Sequence, residues 1–180
     1  EENTDAVRLD WFQQLKLALN WFRPLEVTPK AGIRQTYYNK DRQGSDRTGD
    51  RDIISGQWNT GVETSLKLFR LFHVKSNFMG LNLNGLRHVL TPTVVYDLIH
   101  RPTVANDLLS FTSASGSTSR INFGVENKLQ TRRPDASGKL RSVDLGRLLI
   151  GVPYDFRNNG NKRGGRLGDW NFDFETYPLP

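Results

Sequence analysis

Three histidines, His73, His88 and His100, are the first residues that could do chemistry. A zinc site needs ligands at short paired spacings, and these three stand apart from one another, near predicted strand ends. Cysteine is absent, which removes disulfides, thiolate catalysis and Cys-ligated metals. No G-x-S-x-G elbow and no phosphate-binding P-loop occurs. The Gly-rich basic stretch 158–168 leads into a strand, so it lacks the helix N-terminus that would cradle a phosphate. Asp169, Asp173 and Glu175 share one predicted strand face and invite comparison with a glycosidase pair or a Ca²⁺ site. Carboxylates at i and i+2 on a polar strand face read better as a hydrated wall. The expectation is a non-enzymatic protein with no metal and no cofactor.

The elements that carry these residues must be strands. Only 36% of the 180 residues are hydrophobic, and the mean hydropathy of -0.57 is poor for a conventional packed core. Yet four Trp, ten Phe and five Tyr argue against a disordered chain. The apolar residues must therefore be distributed in a pattern. No run approaches the roughly 18 apolar residues of a spanning helix. The segment 1–8 is acidic and polar and shows no signal peptide, so the chain is expected to start after any such leader. The net charge of +6 favours anionic partners without choosing among them.

Leu9, Trp11, Leu15, Leu17, Leu19 and Trp21 alternate with Asp10, Gln14, Lys16 and Asn20, the period of a strand with one apolar face. Ten residues separate the two Trp, and at about 3.3 Å per residue with a tilt of about 40° this span rises roughly 25 Å, the height of an outer-membrane apolar band. Further runs follow. Val27, Ala31, Ile33 and Tyr37 form a second, and Ile54, Trp58, Val62, Leu66 and Leu68 a third. Leu90, Val94, Tyr96 and Leu98 form a fourth, broken by Val95 and Ile99. Ile121, Phe123, Val125 and Leu129 form a fifth, Leu148, Ile150, Val152, Tyr154 and Phe156 a sixth, and Trp170, Phe172 and Phe174 a seventh. Arg70 falls in the apolar register, which predicts a bulge or a membrane rim at 69–72. Pro92 and Pro153 each remove a ladder donor and predict a bulge or a strand end.

The links after the first, third and fifth runs are compact. Those at 39–52, 100–118 and 157–168 are long and polar. Alternating short and long links are what periplasmic turns and extracellular loops produce. The reading is all-β: an antiparallel up-and-down transmembrane β-barrel segment, with the first strand running inward and 1–8 left over from an outer loop. Seven is an odd count, and single-chain bacterial barrels are usually even and closed, so the chain is expected to be a fragment of a larger barrel.

On this reading Leu15, Leu17, Leu19, Leu66, Leu68, Phe123, Val125, Ile150 and Val152 face lipid. Asn20, Gln57, Asn59, Asn122, Glu126, Gln130 and Asp173 face a wet lumen, and Trp11, Trp21 and Trp58 belong to an aromatic girdle. Aromatics alternate against charges instead of sharing a face with them, which opposes nucleic-acid binding. Basic loop residues Arg42, Arg47, Lys162, Arg163 and Arg166 are candidates to meet anionic glycolipid.

Two blocks go beyond barrel grammar. Arg87, His88 and Pro92 sit in the first, before a long loop, and Phe123, Gly124, Glu126, Leu129, Gln130 and Thr131 in the second. They resemble the barrel domain of the lipopolysaccharide-assembly family LptD (OstA), in which an R-H-x-hydrophobic-x-P-x-hydrophobic strand precedes a long surface loop and an F-G-x-E-x-x-L-Q-T-like strand. The segment 143–156 looks like the next element. The resemblance is good from about Leu86 onward and vague before it. It implies that 1–180 is part of a very large outer-membrane barrel, without the periplasmic N-terminal domain and the gate strands. It also implies assembly of lipopolysaccharide into the outer leaflet, with outer-membrane lipids, a plug lipoprotein and a periplasmic transport bridge as partners. The absence of Cys means that any disulfide joining the family's domains cannot involve this stretch. Two rival readings share the alternation: a soluble β-sandwich that binds a glycan or an anion, and a general diffusion porin.

Overall fold

The computed structural model describes residues 7–22, 24–39, 41–42, 48–49, 52–77, 83–104, 116–134, 137–157 and 165–177. The elements are β1 (Arg8–Lys16), β2 (Leu19–Phe22), β3 (Leu25–Tyr38), β4 (Asp41–Arg42), β5 (Thr48–Gly49) and β6 (Ile53–Leu66). They continue with β7 (Leu68–Ser76), β8 (Leu83–Ile99), β9 (Thr118–Pro134), β10 (Leu140–Arg157), β11 (Arg166–Leu167) and β12 (Asn171–Thr176). No helix occurs among the described residues.

Ten strands form one antiparallel sheet, and β4 and β5 form a separate two-stranded ribbon within one long link. Three pairs continue one another against a common neighbour. β1 and β2 both pair with β3, β6 and β7 with β8, and β11 and β12 with β10. The chain therefore makes seven traverses in sequence order, an up-and-down meander. Among the described residues the sheet is open: β1 pairs with β3 alone, and β11 and β12 with β10 alone.

Pairing outruns the alternation. β9 and β10 are 17 and 18 residues long, because Arg132 to Pro134 remain laddered to Leu140 to Ser142 although no apolar stripe marks them.

Prolines explain where traverses break. The N–H and C=O of a strand residue point toward the same neighbour, so a proline breaks the ladder on one side only. The Pro29 carbonyl accepts from the Leu17 N–H at 3.1 Å, and the missing return donor coincides with the gap between β1 and β2. The Pro153 carbonyl accepts from Gly168 at 2.8 Å, in the gap between β11 and β12. Pro92 falls opposite Leu66, where pairing with β8 lapses over Leu66 and Lys67 between Ser65–Thr93 and Leu68–Leu90. Expectations for Pro92 and Pro153 are corrected accordingly. Both sit inside unbroken pairing with β9, opposite Val125 and Asn122, and the irregularity appears in the neighbouring strand. The predicted slip at 69–72 is likewise displaced: Leu68 to Phe72 stay in register with Leu90 to Leu86, and the shift falls between Phe72 and Lys75.

Few side chains are buried. Tyr38 (3% exposed), Val89 (5%) and Val152 are the hydrophobic ones among the described residues. Among the described residues no conventional core forms, because the sheet is a single layer.

Candidate functional site

Residues opposite one another in an antiparallel ladder share a face, so the registers sort every paired residue. One face carries Leu9, Trp11, Leu15 and Leu17, then Val27, Ala31, Ile33 and Tyr37 opposite them. It continues through Trp58, Val62, Leu66 and Leu68 to Leu90, Val94 and Tyr96. Ile121, Phe123 and Val125 carry it to Ile150, Val152, Phe172 and Phe174. The alternation thus adds up coherently over seven traverses. Much of this face is uncovered: Leu15 is 75% exposed, Phe172 68% and Trp58 62%. Among the described residues no second layer packs on it.

The nine residues assigned to lipid, Leu15, Leu17, Leu19, Leu66, Leu68, Phe123, Val125, Ile150 and Val152, lie together on this face. Gln57, Asn59, Asn122, Glu126, Gln130 and Asp173 lie together on the other, as does Asn20 by its alternation from Leu19. Trp21 falls in β2 with its side chain outside the described part of the structure.

An aromatic line crosses the apolar face obliquely. Following the registers from strand to strand, Trp11, Trp58, Tyr96, Tyr154 and Trp170 descend toward the compact-link end. The Trp170 ring stacks on Phe172, 6.4 Å between centroids, which places it on this face. The drop is about eight residues over six strand steps, or about 4.4 Å along the strand for each ~4.8 Å step across it, a slope of about 40°.

Among the described residues, the ion pairs that Lys30, Arg34, Arg120, Lys128 and Arg147 make all lie on the polar face. Lys30 meets Asp97 at 2.5 Å, Arg34 meets Asp10 at 3.6 Å, and Arg120 meets Asp155 at 2.5 Å in a two-pronged contact. Arg147 is a hub. It contacts Glu126 at 2.5 Å and Asp173 and Glu175 at 3.5 Å each, while Lys128 approaches Glu126 and Asp144. Gln130 donates to Asp144 at 2.7 Å. Glu126, Gln130 and Asp173 were singled out from the sequence. Arg147, Lys30, Asp97, Arg120 and Asp155 read from the sequence as polar-face positions of their runs, but their pairing with one another does not.

Glycine makes room for one of these contacts. A Cβ on Gly61 would collide with the Tyr96 carbonyl and meet Lys30 Cε at 2.7 Å, where the Lys30 stem passes to Asp97. At the compact-link end lies an open cleft of about 700 Å³, lined by Phe69, Leu71, Arg87, Gln130, Arg132 and Leu140 among others. The Arg87 guanidinium stands over the Phe69 ring at 4.6 Å, so the cleft offers cationic and apolar surface together.

Of the three histidines, His88 departs from the expectation of a lone residue near a strand end. It lies inside β8 and shares a 3.0 Å hydrogen bond with Asn127. His100 sits just beyond β8, tilted toward Trp58 at 6.4 Å, and His73 lies in β7. Asp173 and Glu175 face Arg147, while Asp169 precedes β12. Arg166 pairs in register with Asp155. Arg42 lies in β4 with its side chain outside the described part, and Arg47, Lys162 and Arg163 lie outside the described residues.

The family-motif residues come together across one ladder. Arg87 pairs Gln130, His88 pairs Leu129, and Leu86 pairs Thr131. Thr131, the most buried of them, donates to the Gly85 carbonyl at 2.9 Å. No protein-family model, curated protein or solved structure matches the chain. Function must be argued from the two faces.

Proposed function

We propose that the chain is a segment of a transmembrane β-barrel of the lipopolysaccharide-assembly (LptD) type in the bacterial outer membrane. It would act without covalent chemistry, as wall and channel lining. One observation carries the barrel reading: among the described residues, a single-layer meander bears its apolar stripes on one uncovered face and the ion pairs of Lys30, Arg34, Arg120, Lys128 and Arg147 on the other. Water on both sides is a poor environment for such a sheet. Lipid on one side and a hydrated lumen on the other suits it.

Two further features support the reading. The aromatic line slopes at about 40°, within the tilt of barrel strands. Links of 2, 6 and 5 residues lie at one end of the sheet, and all the long ones at the other. The open edges at β1 and β12 are those a partial barrel would offer to further strands. A β-sandwich would need a second sheet over Leu15, Trp58 and Phe172, and the described residues provide none.

The lipopolysaccharide assignment rests on the residues that resemble the LptD family, and they also weigh against a general porin. In that role the polar face would meet the sugar and phosphate of passing lipopolysaccharide or the plug lipoprotein. The periplasmic bridge would act through parts of the protein outside 1–180.

The test is to purify the full chain with and without detergent and compare boiled and unboiled samples on a gel. A heat-dependent mobility shift and a need for detergent are expected. A monodisperse detergent-free protein with no shift would sink the barrel. Loss of lipopolysaccharide from the cell surface on depletion separates an assembly role from a porin.

A further inference from the structure

At the compact-link end, large apolar side chains turn up on the polar face. In β7 the residues Leu68, Arg70 and Phe72 pair with Leu90, His88 and Leu86 on the apolar face, so Phe69 and Leu71 project from the polar one, opposite Val89 and Arg87. Leu140 of β10 joins them, since it pairs with Pro134, next but one to Arg132 on the same face. Phe69 is 60% exposed, Leu71 55% and Leu140 49%. All three line the open cleft of about 700 Å³. Exposed apolar surface gathered in a concavity and rimmed by polar groups marks a place where something binds.

The charge in this cleft has one sign. Among the described residues Arg87 and Arg132 line it, and no Asp or Glu does. Arg87 pairs with Gln130, which puts Arg132 on the diagonal, about 7 to 8 Å away along the sheet. Elsewhere on this face Lys30, Arg34, Arg120, Lys128 and Arg147 each meet a carboxylate. Arg87 instead stands over the Phe69 ring at 4.6 Å, and its Nε is shielded from solvent without a hydrogen-bond partner. Buried donors ordinarily have an acceptor. Asp144, the carboxylate next along the registers, is taken by Gln130 at 2.7 Å and lies 3.9 Å from Lys128.

We infer that the cleft is a binding site for a single-chain anionic amphiphile, a long-chain fatty acid. Its carboxylate meets the guanidinium forks of Arg87 and Arg132, a planar match in which two N–H groups reach two oxygens at once. Its chain lies along Phe69, Leu71 and Leu140. The acid-free lining supplies the charge complementarity. A volume of about 700 Å³ falls in the range of small-molecule sites, about 300 to 1,000 Å³, which suits one chain and is too small for a folded partner. The site lies on the face turned away from lipid in the barrel reading and does not depend on that reading.

The test irradiates the full chain in maltoside detergent with palmitate carrying a diazirine on its chain, or with the corresponding alcohol, and maps the adducts by mass spectrometry. Palmitate adducts are expected at Phe69, Leu71 and Leu140, in about tenfold excess over those of the alcohol. Arg87→Gln and Arg132→Gln are each expected to lower them by about tenfold. Lys16→Gln, on the same face but outside the cleft, is expected to leave them unchanged. Circular dichroism checks the fold of each variant, and Arg132, which is exposed, keeps the test decisive if Arg87→Gln does not fold. Equal labelling by acid and alcohol, adducts confined to apolar-face residues such as Leu15 and Phe172, or an Arg132→Gln variant that labels like the wild type overturns the site. Displacement of palmitate by excess acetate would make it a site for small anions and also overturns it. A chain that labels in the cleft but shows no heat-dependent gel shift keeps the site and loses the barrel. One that shifts without labelling there does the reverse.

Discussion

Arg147 of β10 reaches diagonally across the ladder to Glu126 of β9, Nε to Oε1 at 2.5 Å, although the register partner of Arg147 is Lys128. Its guanidinium also stands 3.5 Å from Asp173 and Glu175 of β12. One cation therefore ties three traverses together on the polar face. Both Arg147 and Glu126 keep about a quarter of their side-chain surface, so water still screens the contact. A double-mutant cycle of Arg147→Gln and Glu126→Gln in vesicle-refolded protein is expected to give a coupling of about 0.5 to 1 kcal/mol that shrinks with salt. A coupling near zero at low salt would show the hub to be decorative.

Charge on the apolar face should be punished according to depth. Leu17→Arg and Val125→Arg are expected to cost about 2 to 4 kcal/mol of membrane stability and to block assembly. Asn122→Arg, on the polar face, is expected to assemble normally. The heat-dependent gel shift reports all three, and equal tolerance would remove the lipid-facing assignment.

Gly61 is a spacer for Lys30. Gly61→Val drives a side chain against the Tyr96 backbone and the Lys30 stem, with an expected loss of about 1 to 3 kcal/mol. Gly138 has open space around it but a φ of 78°, so Gly138→Ala should cost only the backbone strain, about 1 kcal/mol. Denaturant titration of the two variants would rank them, and the reverse ranking would remove the spacer role.

Replacing the ladder-breaking prolines returns a donor to one side. In Pro29→Ala the new amide points toward the neighbourhood of Leu17, and in Pro153→Ala toward Gly168. Hydrogen exchange should show both new amides protected, with stability changed by no more than about 1 kcal/mol, because the added bond is offset by a freer unfolded chain. Fast exchange at both positions would mean that the breaks have another cause.

The faces were legible in the sequence because a period of two is local: Trp11 to Trp21 declares its stripe without reference to any other strand. What neighbours do to one another was not. Pro92 reads from the sequence as a defect in its own strand, yet its effect appears across the ladder, where Leu66 and Lys67 drop out of pairing with β8, since only the pairing decides which strand loses the hydrogen bond. Val95, Ile99 and Leu149 sit on the polar face against their type because their registers with Asn122, Thr118 and Glu126 leave them no choice. The ion-pair hub was half visible, through Glu126 and Asp173. Arg147 was passed over because a diagonal contact depends on β9, β10 and β12 lying side by side. The short strands β4, β5 and β11 escaped notice inside links that look merely polar.

The uncovered apolar face has a consequence for the chain before it folds. In the extended polypeptide each oily residue is flanked by polar ones, so no segment is greasy enough to be held back in a cell membrane or to clump strongly in transit. The oil is latent, spread thinly through a water-compatible thread. It becomes a surface only when the hydrogen bonds form and sort alternate side chains to one side, so on the barrel reading proposed above such a chain would cross an aqueous compartment as a thread and meet lipid only once folded.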